Sequence, residues 1–252
     1  MGAPRLHITF PVLNEEAQLA ESVERTVAFC RAERIDSYEI CIADNGSTDR
    51  TGEIAQALAA LHPTVRYIRL PVRGFGLALK TAWVQSEADF VGYMDIDLAT
   101  DLRHLKEVYD DIARGAGYDL YMGSRLKPGA RVSKRTPLRA FLSRVLNLLL
   151  RVRLRVSFSD AMCGFKFVDR TLYQSLAAKY AFTDDWFFVA QLVVRAEWAG
   201  ARILDMPVTW TDQPNSKSGA RLVNLSLLYL AGISQLKREM RQFRRAGSAA
   251  AR

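Results

Sequence analysis

From Leu6 to Met122, short β-rich runs alternate with helical patterns, and this alternation restricts the chain to few architectures. Leu6 to Phe10, Tyr38 to Ala43, Val65 to Leu70, Phe90 to Asp95 and Leu120 to Met122 read as strands. Ala17 to Ala32 carries Leu19, Val23, Val27 and Cys30 at helical spacing. Asp49 to Leu61, Phe75 to Ser86 and Leu102 to Ala113 fill the remaining gaps with helices. Strands alternating with helices predict an α/β fold, a mostly parallel sheet flanked by helices on both faces. Ligands of such sheets bind beyond the carboxyl ends of the strands. The polar residues that follow each strand are therefore the candidates for chemistry.

Four clusters stand there. FPVLNEE, Phe10 to Glu16, follows the first strand, and ADNGSTDRT, Ala43 to Thr51, follows the second. Asp44 ends that strand, where a carboxylate can accept hydrogen bonds from a base or a ribose. A plain turn with a helix cap is the competing reading, since Ser47 or Thr48 can cap the helix through its hydroxyl. The third cluster is MDIDLATD, Met94 to Asp101. Residues i and i+2 of a strand share a side, so Asp95 and Asp97 meet at its tip. Two adjacent carboxylates repel unless a cation neutralises them. Mg²⁺ or Mn²⁺ suits oxygen ligands, and Mg²⁺ commonly completes its shell with water and substrate phosphates. The fourth cluster, GSRLKPGARVSKR, holds Arg125, Arg131, Lys134 and Arg135 in a Gly/Pro-containing loop. Arginine makes forked bonds to phosphate, so this loop reads as anion-binding, with a solvated basic loop as the alternative.

The second half is patterned differently. Leu138, Phe141, Leu142, Val145, Leu146, Leu149 and Leu150 form a broad apolar face, with Arg139, Ser143, Asn147 and Arg151 on the other. Residues 137–156 form a basic amphipathic segment that either lies in a membrane interface or packs on the sheet. Arg151 to Val156 alternates like a strand. A further apolar stretch, Leu222 to Leu236, is too short and too polar to span a bilayer and reads as a surface-lying or core-packed helix with a basic end. The net charge is +8, but the stretches after Asp119 and after Asp212 together carry +17, leaving −9 on the rest. Two basic regions on an acidic body suit an anionic membrane surface. No helix-turn-helix or aromatic-interleaved RNA motif is present, so nucleic acid is not expected as a partner.

With these motifs in hand, the chain resembles the GT-A-fold glycosyltransferases of family 2, and within them the polyprenyl- or dolichyl-phosphate glycosyltransferases. FPVLNEE, ADNGSTDRT and MDID carry the broad resemblance. GSR at Gly123 to Arg125, DAMCGFKF at Asp160 to Phe167 and PVTWTDQPNSK at Pro207 to Lys217 narrow it toward the dolichyl-phosphate glucosyltransferase branch. The resemblance implies a GT-A domain over residues 1–220, followed by a C-terminal amphipathic helix and basic tail over 221–252. It implies a nucleotide-sugar donor held by Pro11, Asn14, Glu15, Asp44 and Asp95. A divalent metal, Mg²⁺ or Mn²⁺, would sit on Asp95 and Asp97. A polyprenyl or dolichyl phosphate acceptor would lie near Arg125, Arg131 and Lys134. Asp97, Arg125 and Asp160 would be the catalytic residues of an inverting hexosyl transfer, with Asp160 bordering the sugar or the metal. A UDP-sugar is the expected donor; GDP-mannose, or binding of a nucleotide-sugar without catalysis, is the alternative.

Three departures stand out. Where relatives often carry an Asp and a Glu after the aromatic W-x-F, this chain has Val189 and Gln191, with Asp184 and Asp185 just upstream. Where many mannose-transferring relatives place a Gln after the acidic pair, it has Ala99. No spanning segment is read where relatives often have them. A dinucleotide-binding fold is disfavoured because RGFGLALK places Leu79 at the third glycine position and follows a later strand. The three cysteines, Cys30, Cys41 and Cys163, lack metal spacing. With no signal peptide at the start, the expected place is the cytoplasmic face of a membrane, peripherally bound. His7, His62 and His104 are scattered and read as structural.

Overall fold

Each β-rich run of the first half becomes a strand, and each amphipathic run between them a covering helix. The computed structural model describes residues 3–212 and 228–241. The order is β1 (Leu6–Val12), α1 (Leu19–Ala32), β2 (Tyr38–Asp44), α2 (Thr51–Leu61), β3 (Val65–Arg69), α3 (Phe75–Val84), β4 (Phe90–Met94), α4 (Arg103–Ala113) and β5 (Leu120–Ser124). β1 shows why the sheet lies between two helix layers. Its Leu6, Ile8, Phe10 and Val12 pack with Leu19, Val23, Leu58, Leu105 and Val108 of α1, α2 and α4. The alternate residues His7 and Thr9 are buried on the opposite face. There Trp83 of α3 donates its Nε1–H to Thr9 Oγ1 at 3.1 Å.

The second half continues with β6 (Arg131–Ser133), α5 (Pro137–Leu154), β7 (Phe165–Asp169), α6 (Arg170–Lys179), α7 (Phe188–Trp198), β8 (Ile203–Pro207) and β9 (Thr209–Thr211). Residues 228–241 form α8. The main sheet runs β3-β2-β1-β4-β7-β5-β8, and β6 pairs with β9 in a small second sheet. β7 is antiparallel to both β4 and β5, whereas the other pairings are parallel. Inserting β7 between β4 and β5 brings the DAMCGFKF segment beside the tips that carry Asp95 and Arg125. The sequence pattern did not announce this, because β7 is only five residues long and buried at four of them.

Two expectations for 137–156 need correction. Arg151 to Val156 is not a strand: α5 runs to Leu154 and ends at Arg155, with φ 56°. Thr136 caps its start and Pro137 opens its first turn, both favoured there. Leu146, Leu150 and Leu154 continue the buried stripe at four-residue spacing, and this outweighs the basic-apolar alternation of the last residues. The buried face is also rotated from the expected one. Ser143 and Asn147, assigned to the polar face, are buried, while Leu138, Phe141, Leu148 and Val152 are exposed.

α8 packs into the core through Tyr229, Ile233 and Leu236, in the same cluster as Trp83 and Phe187. Arg195 of α7 is buried and forks onto Glu239 of α8, with Nη2 2.9 Å from Oε2. The start of the expected Leu222 to Leu236 helix, the boundary at 220/221, the end of PVTWTDQPNSK and the basic tail lie outside the described residues. None of the described helices is long and apolar enough to cross a membrane.

Candidate active site

The loops after β1 and β2 are stitched into one unit. Asn14, at φ 57°, accepts the Thr48 N–H on its Oδ1 at 2.8 Å and donates its own N–H to Ser47 Oγ at 2.9 Å. Glu15 donates its N–H to Thr51 Oγ1 at 2.7 Å, and its carbonyl accepts from Gln18 and Leu19 at the start of α1. Asp44 is fully buried. Its Oδ1 accepts the Ser47 N–H at 2.8 Å, and its Oδ2 accepts the Tyr67 hydroxyl at 2.9 Å. Asn45 Oδ1 accepts the Gly74 N–H at 2.6 Å, tying in the start of α3. Pro11 lies within β1 opposite Ala43. Pro11, Asn14, Glu15 and Asp44 are thus on two adjoining strand ends held rigid by polar cross-links.

Asp95 and Asp97 follow β4, both partly buried. Asp95 N–H donates to Gly164 O at 3.1 Å, fixing this loop against the segment before β7. Asp97 Oδ1 accepts the Ala99 N–H at 3.0 Å. Burial, then the neighbouring charges of Asp95, Glu15 and Asp212, push the Asp97 carboxyl up to about 7, against the pull of the Ala99 N–H. Burial also raises Asp95, with Arg125 and Lys166 opposing. Negative charge is concentrated here beyond what its surroundings neutralise, which is the electrostatic condition a cation relieves. Among the described residues no three His, Cys, Asp or Glu side chains gather as a ligand set. Two carboxylates with remaining positions for water and phosphate oxygens fit Mg²⁺ or Mn²⁺, and no nitrogen or sulfur ligand stands in this pair.

Arg125 follows β5 and forks onto Asp160, with Nε 2.7 Å from Oδ2 and Nη2 3.0 Å from Oδ1. Asp160 is fully buried. Burial would raise its carboxyl, but the Arg125 charge and fork outweigh this and hold it low. Such a forked pair is stronger and more directional than a single ionic bond. Asp160 also accepts from Arg125 N–H, Met162 N–H and Asn147 Nδ2, so its lone pairs face protein donors. Arg125 lies over the Trp210 ring at 5.4 Å, and Arg135 at 5.7 Å. Arg131 and Lys134 are exposed, whereas Arg135 turns inward and is partly buried. Arg139 is paired with Asp212, but Arg135 forms no ion pair with the described residues. Burial, then Arg125 and Arg139 nearby, pull its guanidinium down to about 10, with Asp160 opposing. The buried Lys166 donates to Cys163 O at 2.5 Å and stands 5.8 Å over the Tyr93 ring.

Residues 183–188 form a lip beside the start of α3. Trp186 is 43% exposed and stacks on Phe75 at 3.8 Å. Asp184 pairs with Lys80. Asp185 Oδ1 accepts the Phe187 N–H at 2.7 Å and the Thr183 hydroxyl at 3.0 Å. Val189 and Gln191 are both buried, and Gln191 Oε1 accepts the Thr183 N–H at 2.9 Å. A Cβ on Gly76 would stand 2.6 Å from Thr183 O and from Phe188 Cβ. The Gly-x-Gly of RGFGLALK therefore serves close packing of this lip.

A model of glycosyl transferase family 2 matches residues 8–177. The chain belongs to that family. Among its relatives, the glycosyltransferase AglD of Haloferax volcanii is 35% identical over 215 residues, covering 83% of this chain. The chain spans only 34% of that relative's length. A dolichyl-phosphate beta-glucosyltransferase of Trichomonas vaginalis is 27% identical, covering 90% of this chain and 72% of that protein. One from Dictyostelium discoideum is 25% identical over 92% of this chain and 77% of that protein. Among solved structures, glucosyl-3-phosphoglycerate synthase from Mycobacterium tuberculosis in complex with UDP superposes with a TM-score of 0.70 at 20% identity. The match covers 93% of this chain and 80% of that one. The GT-A fold expected of this family 2 chain is thereby shown.

Sequence reasoning left Asn147 out of the site, and named Gly164, Trp210 and Arg135 only within DAMCGFKF, PVTWTDQPNSK and the basic loop. A polar residue recurring in the register of α5's buried leucines is the signal that could have found Asn147. Nothing local marks Gly164, because its role depends on the tertiary approach of Asp95.

Proposed function

We propose that this family 2 chain transfers a hexose from a UDP-sugar to a polyprenyl or dolichyl phosphate, with inversion, peripherally at the cytoplasmic face of a membrane. The observation that carries this reading is the neighbourhood of two charge centres at one sheet edge. The Asp95–Asp97 pair calls for a cation, while Arg125, fixed by Asp160, and the inward Arg135 flank Trp210. Two anions must meet for this reaction, a donor diphosphate and an acceptor phosphate. The names of relatives support the acceptor class, and the UDP in a structural neighbour supports the donor.

In this reading Pro11, Asn14 and Glu15 hold the base and ribose, with the fully buried Asp44 acting on that site through Ser47 and Tyr67, and Asp95 and Asp97 would hold Mg²⁺ or Mn²⁺ for the donor diphosphate. The metal supplies charge neutralisation of the leaving nucleoside diphosphate. Arg125 presents its Nη1 edge to the acceptor phosphate, because Nε and Nη2 are committed to Asp160. Arg135 adds a second cation, and Arg131 and Lys134 attract the phosphate from the exposed rim. Asp160 acts through Arg125. A phosphate oxygen is already ionised at neutral pH and needs no strong general base. Val189 and Gln191 place no carboxylate there, which is compatible with that acceptor. In-line attack by an acceptor phosphate oxygen forms its bond to the anomeric carbon as that carbon's bond to the diphosphate oxygen breaks, inverting the carbon and releasing the nucleoside diphosphate.

The experiment is transfer of labelled hexose from UDP-glucose and from GDP-mannose to polyprenyl phosphate, with Mn²⁺ or EDTA, and the product anomer read by NMR. Transfer from the UDP-sugar alone, with inversion, is expected. Preference for GDP-mannose moves the reading to mannose transfer. Tight UDP-sugar binding without transfer to any acceptor moves it to a binding protein.

A further inference from the structure

We propose that Asn147 is a positioning residue that ties the seating of α5 to the orientation of Arg125; this rests on the reading of Arg125 as a ligand of the acceptor phosphate. Asn147 is 2% exposed and lies one turn beyond Ser143 on α5. Its amide is committed at both ends. Nδ2 donates to Ser143 O at 2.9 Å and to Asp160 Oδ1 at 3.3 Å, and Oδ1 accepts the Ala161 N–H at 2.9 Å. Both amide hydrogens are used. Flipping the amide would set Nδ2 against the Ala161 N–H, so the network itself fixes which end faces Asp160. Asp160 in turn fixes the plane of the Arg125 fork.

The opposite side of the same helix exposes Leu138, Phe141, Leu148 and Val152. Leu148 is the next residue after Asn147. The seating of α5 on the core through Leu146, Leu150 and Leu154 therefore bears, through one buried amide, on the Arg125 guanidinium two hydrogen-bonded contacts away. Packing alone would not require this arrangement. A leucine would fill the space, whereas the amide satisfies a backbone N–H and a carboxylate oxygen of the 160–161 turn together.

Replacing Asn147 by Asp tests the idea. The substitution puts a carboxylate oxygen where Nδ2 now donates to Asp160, and two carboxylates in that contact repel until they share a proton. A shared proton restores a donor in the place of Nδ2. The other charged or titratable groups that interact with Asp160 are Arg125 of the β5 end, Lys166 of β7, the Cys163 thiol, Arg135 and Tyr229 of α8, all unchanged in the variant. We expect kcat/KM for polyprenyl phosphate to fall at least tenfold at alkaline pH and to recover toward acid, a limb absent from the wild type. UDP binding by calorimetry is expected to stay within twofold. Asn147→Ser, which loses the Asp160 contact without adding charge, covers a failure of the Asp variant to fold. It is expected to raise the acceptor KM at least tenfold with UDP affinity retained.

An arm independent of catalysis follows the arginine Nε–H resonances by NMR, Arg125 being the one lost in Arg125→Lys. Its hydrogen exchange is expected to accelerate in Asn147→Ser. Wild-type acceptor KM, pH profile and Arg125 exchange in the folded variants would overturn the positioning role. If instead the wild type never transfers to a polyprenyl phosphate, the functional reading fails, and the exchange arm still decides whether Asn147 holds Arg125.

Discussion

The Asp95 carboxylate lies directly against the Cα of Gly164: a Cβ added there would stand 1.8 Å from Oδ2 and 2.1 Å from Cγ. No side chain other than hydrogen fits at Gly164 while Asp95 keeps its place. Gly164→Ala must therefore push Asp95 out of register with Asp97. The expected outcome is a folded protein whose Mn²⁺ affinity, read by electron paramagnetic resonance, falls by about 10- to 100-fold, the range typical of lost ligand support. Wild-type Mn²⁺ affinity in this variant would remove Asp95 from the metal site.

Asp97 carries the second charge of the pair. Asp97→Asn should keep the fold, since the amide oxygen can still accept the Ala99 N–H that Asp97 Oδ1 accepts at 3.0 Å. Metal-dependent UDP binding, measured by calorimetry with and without Mn²⁺, should fall with the metal, and transfer should drop by roughly 10²-fold or more, as when one electrostatic transition-state contact is removed. Wild-type turnover by Asp97→Asn in EDTA-treated buffer would sink the metal assignment.

The exposed apolar side of α5 predicts where the protein works. Phe141 is 61% exposed and Leu138 62% exposed, beside Arg131, Lys134 and Arg144, which are exposed as well. Near an anionic leaflet each basic side chain contributes about 1 kcal/mol, falling off within a Debye length. In liposome flotation, binding should require anionic lipid and weaken as salt rises. Phe141→Glu should reduce binding several-fold while leaving UDP affinity intact. Indifference to anionic liposomes at low salt would argue against a membrane-bound acceptor.

His7 sets an acid limb of stability. Trp83 donates to Thr9 Oγ1, so the Thr9 hydroxyl hydrogen points to His7 Nε2 at 2.9 Å, and His7 Nδ1–H donates to Glu39 Oε1 at 2.6 Å. This assigns a neutral imidazole from the network. Burial is the main reason its pKa is lowered below 6.5, against the pull of Glu39. The unfolded chain then takes a proton that the folded one resists. This contribution is fully present above pH 6.5 and is lost as pH falls below it. Glu39, held down to about 2 by the His7 hydrogen bond against desolvation, keeps its contribution above 4.5 and loses it from there toward 2. Asp97, raised to about 7, gains stability as pH falls through the same range, so the His7 limb is read as the difference in urea midpoint between the wild type and His7→Gln, which should shrink between pH 7 and 5. Because His7 also holds Glu39 low, His7→Gln should weaken the loss below 4.5 as well; a midpoint difference that stays constant from pH 7 to 5 would exclude His7 as a source of the acid limb.

The sequence by itself determined the alternation of strands and helices up to β5, and the polar clusters beyond the strand ends with the acidic pair and arginine that stand there. These are legible because hydrophobic period and turn chemistry are local. The sequence did not determine that β7 enters antiparallel between β4 and β5, because strand order depends on contacts distant along the chain. That insertion brings Gly164 under Asp95 and the 160–161 turn against Arg125. The face of α5 was likewise decided by tertiary structure. Ser143 and Asn147 have a polar signature that reads as solvent-facing, yet Asp160 and the Ala161 N–H supply Asn147 with buried partners. Once those hydrogen bonds satisfy the amide, burying it is no longer costly. The helix can then turn Leu138 and Phe141 outward, an orientation its own periodicity left undecided.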